Sequence, residues 1–226
     1  MKQSRQYVCF GFARAILLCA TALVFLLQGE VYANELAQEN VPVLKKILVV
    51  GDSLSAAYKL SSHEGWVKLM SERITAEQLP YEVVNASISG ATTAAGLQLM
   101  PAVLATHTPQ ILLLELGAND GLQGKPVAYI TNNLRKLIEL GRDSGAQVVL
   151  IGIRIPPNFG PRYTEPFFQQ YSDLAQQYQL PLVPFLLDGV AGHSELMMED
   201  GLHPQALGQE VVLNNVWSVV ESLLAP

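Results

Sequence analysis

The sequence predicts an α/β protein, a three-layer α/β/α sandwich on a flavodoxin-like, five-stranded parallel sheet. Three observations carry this. Five short apolar runs of strand length alternate with five longer segments of helical spacing, with no repeat and no linker between them. The strand runs are continuously apolar rather than alternating, the pattern of strands covered on both faces. Both cysteines, Cys9 and Cys19, lie in the N-terminal segment. The rest of the chain therefore depends on a packed core, without disulfides or thiolate chemistry.

The first 33 residues read as a signal peptide. Lys2, Arg5 and Arg14 form a positive region, and Ala15 to Leu27 is an apolar run shorter than the roughly 20 residues that span a membrane. Val31-Tyr32-Ala33 then offers small residues at the positions before cleavage. An uncleaved anchor is the competing reading, and Leu18 before Cys19 argues against a lipoprotein. Removing 33 residues, three of them basic and one acidic, leaves 193 with 11 basic and 19 acidic, a net charge of −8. That balance, with no basic cluster, argues against nucleic acid. Residues 34–45 form an irregular lead-in, and 46–226 are expected to fold as one domain.

Within that domain the first strand is Ile47–Val50, ending at Gly51. Residues 64–79 carry helical spacing and stop at Pro80, before a strand at Tyr81–Val84. A helix over Thr93–His107 contains Pro101, which should kink it or restart it. Ile111–Leu116 is the third strand, and 126–144 a helix opened by Pro126 and closed by Gly145. The fourth strand is Val148–Ile153, followed by a loop over Ile155–Pro166 and a helix over Phe167–Gln179. Leu182–Phe185, with its prolines, suits an edge strand, and Gln205–Leu224 closes the chain as a helix.

In parallel sheets of this kind, ligands bind beyond the carboxyl ends of the strands. The loops there read Gly51-Asp52-Ser53-Leu54-Ser55, Asn85-Ala86-Ser87-Ile88-Ser89-Gly90, Gly117-Ala118-Asn119-Asp120-Gly121 and Asp200-Gly201-Leu202-His203-Pro204. Ser53, at the expected mouth of a helix, is a candidate nucleophile, and alone reads as readily as an N-cap serine. His203, three residues after Asp200, is a candidate base with a carboxylate to fix its tautomer. Alone, that pair reads as a capping aspartate beside a surface histidine. Asn119 and Gly90 offer an amide and an unobstructed backbone N–H to an oxyanion, and each is also ordinary turn chemistry. What turn chemistry leaves unexplained is their arrival at the strand ends of one sheet.

Gly-Asp-Ser-Leu-Ser after the first strand, Gly90 after the second, Gly-x-Asn-Asp after the third and Asp-x-x-His near the end resemble the SGNH (GDSL) hydrolase family. The blocks Asn85–Gly90, Leu114–Gly117, Ile153–Pro156 and Asp200–Pro204 are similar to its bacterial periplasmic subgroup of multifunctional esterases, acyl-CoA thioesterases and lysophospholipases. The resemblance covers about residues 46–224. It implies the SGNH hydrolase fold, with Ser53 as nucleophile, His203 as base and Asp200 as its orienting partner. It also implies an oxyanion hole of the Ser53 N–H, Gly90 and Asn119. Ala91 stands where the subgroup usually has Asp, a departure that bears on loop rigidity and substrate preference rather than on the catalytic set.

The resemblance further implies that the loop after strand four (Arg154, Ile155, Pro156, with Pro157 and Phe159) and Gly121-Leu122 line an acyl groove. The expected substrates are aryl esters, medium- or long-chain acyl-CoA and lysophospholipids, with a carbohydrate O-acetylesterase as the alternative. No cofactor or metal is implied, and monomer is the default. The expected location is periplasmic or secreted. Three rivals fare worse. The α/β-hydrolase elbow fails because Leu196 replaces the final glycine after Gly192-His193-Ser194. A nucleotide module would need a Gly-rich phosphate loop that is missing, and Asp200, His203 and His193 lack zinc-site spacing.

Overall fold

The computed structural model describes residues 44–224. The expected signal peptide and nearly all of the lead-in lie outside the described residues. The chain forms β1 (Lys45–Gly51), α1 (Trp66–Ala76), β2 (Tyr81–Asn85), α2 (Thr93–His107), β3 (Ile111–Glu115), α3 (Ala118–Leu122) and α4 (Val127–Asp143). There follow β4 (Gln147–Ile151), a 3-10 turn at Pro157–Phe159, α5 (Pro161–Tyr178), β5 (Leu182–Val183) and α6 (Ala206–Val220). All five strands pair in parallel, in the order β2-β1-β3-β4-β5. The fold class expected from the sequence is the one observed.

The middle of each central strand is apolar because it serves two cores, its side chains alternating between faces. Ile47 and Val49 of β1, Leu113 of β3 and Val149 and Ile151 of β4 pack with Trp66 and Met70 of α1 and Val216 and Trp217 of α6. Leu48 and Val50, Leu112 and Leu114, and Val148 and Leu150 point the other way, onto Met100, Leu134, Ile138, Phe167 and Tyr171 of α2, α4 and α5. Two helices cover one face and three the other.

Local differences from the expected elements have physical causes. Pro101 leaves α2 continuous, because the α2 backbone carries on through it from a Thr92 cap whose hydroxyl accepts the Ala95 N–H at 3.2 Å. The piece expected as a loop to Pro166 is already helical from Pro161. Proline suits a first helical position, since the N–H it lacks would have no partner there. Strands three, four and five each end before their expected limits.

The largest difference follows Ser53. No helix begins at Ser53. Residues 53–60 form successive turns, and α1 starts at Trp66. Ala57 and Lys59 hold left-handed backbone at φ 55° and 56°, which a right-handed helix excludes.

Candidate active site

β1 and β3 lie side by side, while the chain leaves β1 for β2 on the opposite flank. This is the switch point where open α/β sheets leave a crevice. The register pairs Gly51 with Glu115, so the loops carrying Ser53 and Asn119 start level with one another. Gly51 itself has no room for a side chain, since a Cβ there would collide with the Glu115 carboxylate and Ser55.

Ser53 and His203 meet across the crevice although 150 residues separate them in sequence. Ser53 Oγ lies 2.9 Å from His203 Nε2, and His203 Nδ1 lies 2.8 Å from Asp200 Oδ2. The other Asp200 oxygen accepts the backbone N–H groups of Leu202 (2.9 Å) and His203 (3.0 Å), which fixes the carboxylate before the ring reaches it. Partial burial pushes the Asp200 carboxyl up. The Leu202 N–H, the His203 ring and the His203 N–H outweigh it and hold the group at about 2. Asp200 is therefore ionised at neutral pH and accepts a proton-bearing Nδ1, leaving the Nε2 lone pair for Ser53.

The loops after β2 and β3 are tied together. Asn119, in α3, donates its amide to Asp52 Oδ2 (3.1 Å) and to the Ala91 carbonyl (3.0 Å), so one side chain links all three loops. Asp120 accepts the Thr93 N–H at 2.7 Å and the Thr93 hydroxyl at 2.8 Å, fixing the start of α2 against α3. Gly90 takes a positive φ of 82°, which glycine tolerates and other residues resist. Among the described residues, the N–H groups of Ser53 and Gly90 donate to no partner. Two backbone donors, one on Ser53 itself and one in the loop after β2, are thus unoccupied. The Asn119 amide is already occupied, so donating to an oxyanion requires it to share or release one of its bonds.

Beneath the loops lies a buried acidic pair that sequence reasoning missed. Asp52 and Glu115 are both fully buried. Glu115 Oε2 accepts from Ser55 Oγ at 2.7 Å and from the Asp52 N–H at 3.1 Å, while Glu115 Oε1 is buried without a partner. Burial pushes Asp52 up to about 6, against the Leu54 N–H, His203 and Asn119, which lower it. Burial, and then the neighbouring Asp52, push Glu115 well above the usual carboxylate range. A glutamate ending an otherwise apolar strand, Ile111–Glu115, was the available signal.

The expected groove residues are placed differently from one another. Gly121 packs against Ile155 and Phe167, which brings the loop after β4 against the helix that carries Asn119. Ile155 is only 6% exposed and packs within the core cluster that includes Phe167. The Arg154 guanidinium stacks on Phe168 at 3.8 Å from the ring centroid. Pro156 and Leu122 keep partly exposed surfaces. Beside Gly90 there is instead an apolar cavity of about 210 Å³, walled by Ile88, Ala91, Ala95, Leu99 and Leu116. The Ala91 methyl forms part of that wall, so the departure from the usual Asp keeps it apolar.

Known proteins resemble this chain in sequence and fold. A family model for the GDSL-like Lipase/Acylhydrolase family matches residues 49–211. Esterase TesA of Pseudomonas aeruginosa is 44% identical over 93% of this chain and 100% of its own. Thioesterase 1/protease 1/lysophospholipase L1 of Escherichia coli K12 is 39% identical over 74% of this chain and 78% of its own. The crystal structure of TesA superposes with a TM-score of 0.78 at 47% identity, covering 80% of this chain and 100% of that one. The chain belongs to the GDSL-like lipase/acylhydrolase family, the SGNH hydrolases that its loop motifs resemble.

Proposed function

We propose that the protein hydrolyses carboxylic esters and acyl thioesters through an acyl-enzyme on Ser53. One observation carries this reading: the unbroken Asp200–His203–Ser53 series of hydrogen bonds, at 2.8 and 2.9 Å. His203 Nε2 takes the Ser53 proton as Oγ attacks the carbonyl carbon. The oxyanion collects the Ser53 and Gly90 N–H groups, joined by the Asn119 amide. The alcohol or thiol leaves with the proton from His203. Water then repeats the sequence on the acyl-enzyme, with His203 again as base. Asp200 keeps the ring oriented throughout and stabilises the imidazolium.

Aryl esters, medium- or long-chain acyl-CoA and lysophospholipids are the proposed substrates. Relatives named esterase, arylesterase and thioesterase 1/lysophospholipase L1 support that range. Pro156 and Leu122 offer apolar surface for the acyl chain, Ile155 and Gly121 hold that surface in place, and Arg154 borders it. The N-terminal 33 residues support export and cleavage, giving a periplasmic or secreted product that begins at Asn34. No helix among the described residues is long and apolar enough to cross a membrane.

The test is a chain-length series of p-nitrophenyl esters and acyl-CoAs, with Ser53→Ala as control. An apolar surface gains about 0.8 kcal/mol per methylene buried, so octanoyl substrates should exceed acetyl in kcat/KM. Ser53→Ala should stay folded and lose the acyl adduct and turnover together. An acetyl preference in both series would favour a sugar O-acetylesterase, and turnover by folded Ser53→Ala would remove Ser53 from the chemistry.

A further inference from the structure

Tyr58 follows the nucleophile on the same loop and rests against the base. Its ring centroid lies 4.6 Å from that of His203, tilted by 41°. The Lys59 ammonium stands 5.1 Å from the Tyr58 centroid. With these two neighbours the ring is still 36% exposed.

The loop is constructed to hold it there. The residues on either side, Ala57 and Lys59, are both in left-handed backbone, at φ 55° and 56°. Non-glycine residues adopt that region where their surroundings impose it. Ala57 lies where any side chain at Gly65 would collide with its methyl group. The Tyr58 N–H reaches the Ser53 carbonyl at 3.3 Å, and the Asn85 amide donates to the Ser55 carbonyl at 2.8 Å. An exposed aromatic ring is thus pinned beside the catalytic imidazole by a costly local conformation.

We infer that Tyr58 contacts the alcohol portion of the substrate and favours aromatic leaving groups by ring–ring packing. This rests on the Ser53–His203 reading above and deepens it. The path of the proton places the leaving group. As the tetrahedral intermediate collapses, the bond from the carbonyl carbon to the leaving oxygen breaks and its electron pair passes to that oxygen. The oxygen takes the proton from His203 Nε2, and the carbonyl re-forms on the acyl-enzyme. The leaving oxygen must therefore come within hydrogen-bond reach of Nε2. Whatever it carries departs past the imidazole, where Tyr58 is the neighbouring aromatic surface. Rings prefer offset or edge-to-face contact at separations of 4.5–7 Å, which a phenyl group can make and a short alkyl group lacks.

The experiment measures kcat/KM for phenyl hexanoate and ethyl hexanoate with the wild type, Tyr58→Phe and Tyr58→Leu. Tyr58→Phe should hold the phenyl-to-ethyl ratio within about twofold, and Tyr58→Leu should lower it about threefold to tenfold. A purely orienting role on His203 gives the opposite sign. Ethoxide is the poorer leaving group and depends more on proton delivery, so a misplaced imidazole would hurt the ethyl ester more and raise the ratio. A raised or unchanged ratio in Tyr58→Leu overturns the inference. A second measurement needs no variant: phenol should inhibit the wild type at lower concentration than cyclohexanol, and equal inhibition counts against the role. Mass spectrometry of the hexanoyl-enzyme separates the two readings. Absence of an adduct on wild-type Ser53 defeats both, while an adduct with an unmoved ratio defeats the role of Tyr58 alone.

Discussion

Two aspartates bond to side chains around Ser53, Asp200 to His203 and Asp52 to Asn119, and the fold treats them in opposite ways. Asp200 sits in an open turn, its side chain 34% exposed, where the Leu202 and His203 N–H groups and the imidazole hold its carboxyl at about 2 despite some burial. Asp52, one residue before Ser53, is fully buried over Glu115, and its carboxyl is pushed up to about 6 because burial costs the charge more than its donors return. Both accept hydrogen bonds from a group in the site, His203 for one and Asn119 for the other. Solvation, not residue type, divides the labour. The exposed aspartate places a charge beside His203, while the buried one holds the Asn119 amide in position.

The comparison breaks first at Asp200. Asp200→Asn keeps an oxygen for the Leu202 and His203 N–H groups but presents an amide to Nδ1, which favours the wrong tautomer. A drop in kcat of about 10³- to 10⁴-fold is expected, by analogy with the serine-protease triad. Steady-state kinetics on the folded variant measures it, and a loss below tenfold would mean that the charge of Asp200 does not act through His203.

Asn119→Ala comes next, with kcat lowered roughly 10²- to 10³-fold and KM little changed, because an oxyanion donor acts mainly in the transition state. The occupied amide sharpens this prediction. If Asn119 serves only to link Asp52 to the Ala91 carbonyl, its removal should lower the melting temperature while leaving kcat nearly intact. Kinetics and a thermal melt on the same sample separate the two.

The frame of this site was legible in sequence, and its lining was not. Apolar strand runs specify a parallel sheet because burial on both faces leaves little alternative. Such a sheet sends its loops to one edge, which is why Ser53, Asn119 and His203 could be placed together before any geometry was known. The turns around Ser53 were illegible, since left-handed Ala57 and Lys59 carry no compositional mark such as glycine would give. The early start of α5 was hidden by prolines that read equally as loop or first turn. The depth of Ile155 was illegible, because local sequence does not say on which side of a loop a side chain will pack. Glu115 and Asp120 escaped because their partners, Ser55 and Thr93, are remote in the chain and become neighbours only in the folded protein.

The smallest effect concerns stability, and it tests the buried half of the comparison. The Asp52 carboxyl is raised from 3.8 to about 6 in the folded protein, so between those values the native state holds a proton that the unfolded chain has released. The sign follows from linkage: the stabilisation is fully present below about pH 3.8 and is lost as pH rises through about 6. Asp52→Asn removes the titration while keeping an oxygen to receive the Asn119 amide. Relative to that variant the wild type should gain stability on going from pH 7.5 to pH 4. Using Asp52→Asn as reference cancels the other carboxyl groups except through Glu115, which moves in the same direction and adds to the trend. Asp200 makes no such contribution in that window, because its lowered carboxyl stabilises the fold above about 3.8 and loses that effect only as pH falls toward about 2. Urea unfolding of both proteins at the two pH values reads the difference directly. A wild type that weakens relative to Asp52→Asn on acidification would show that Asp52 is held charged, and would make the two aspartates alike.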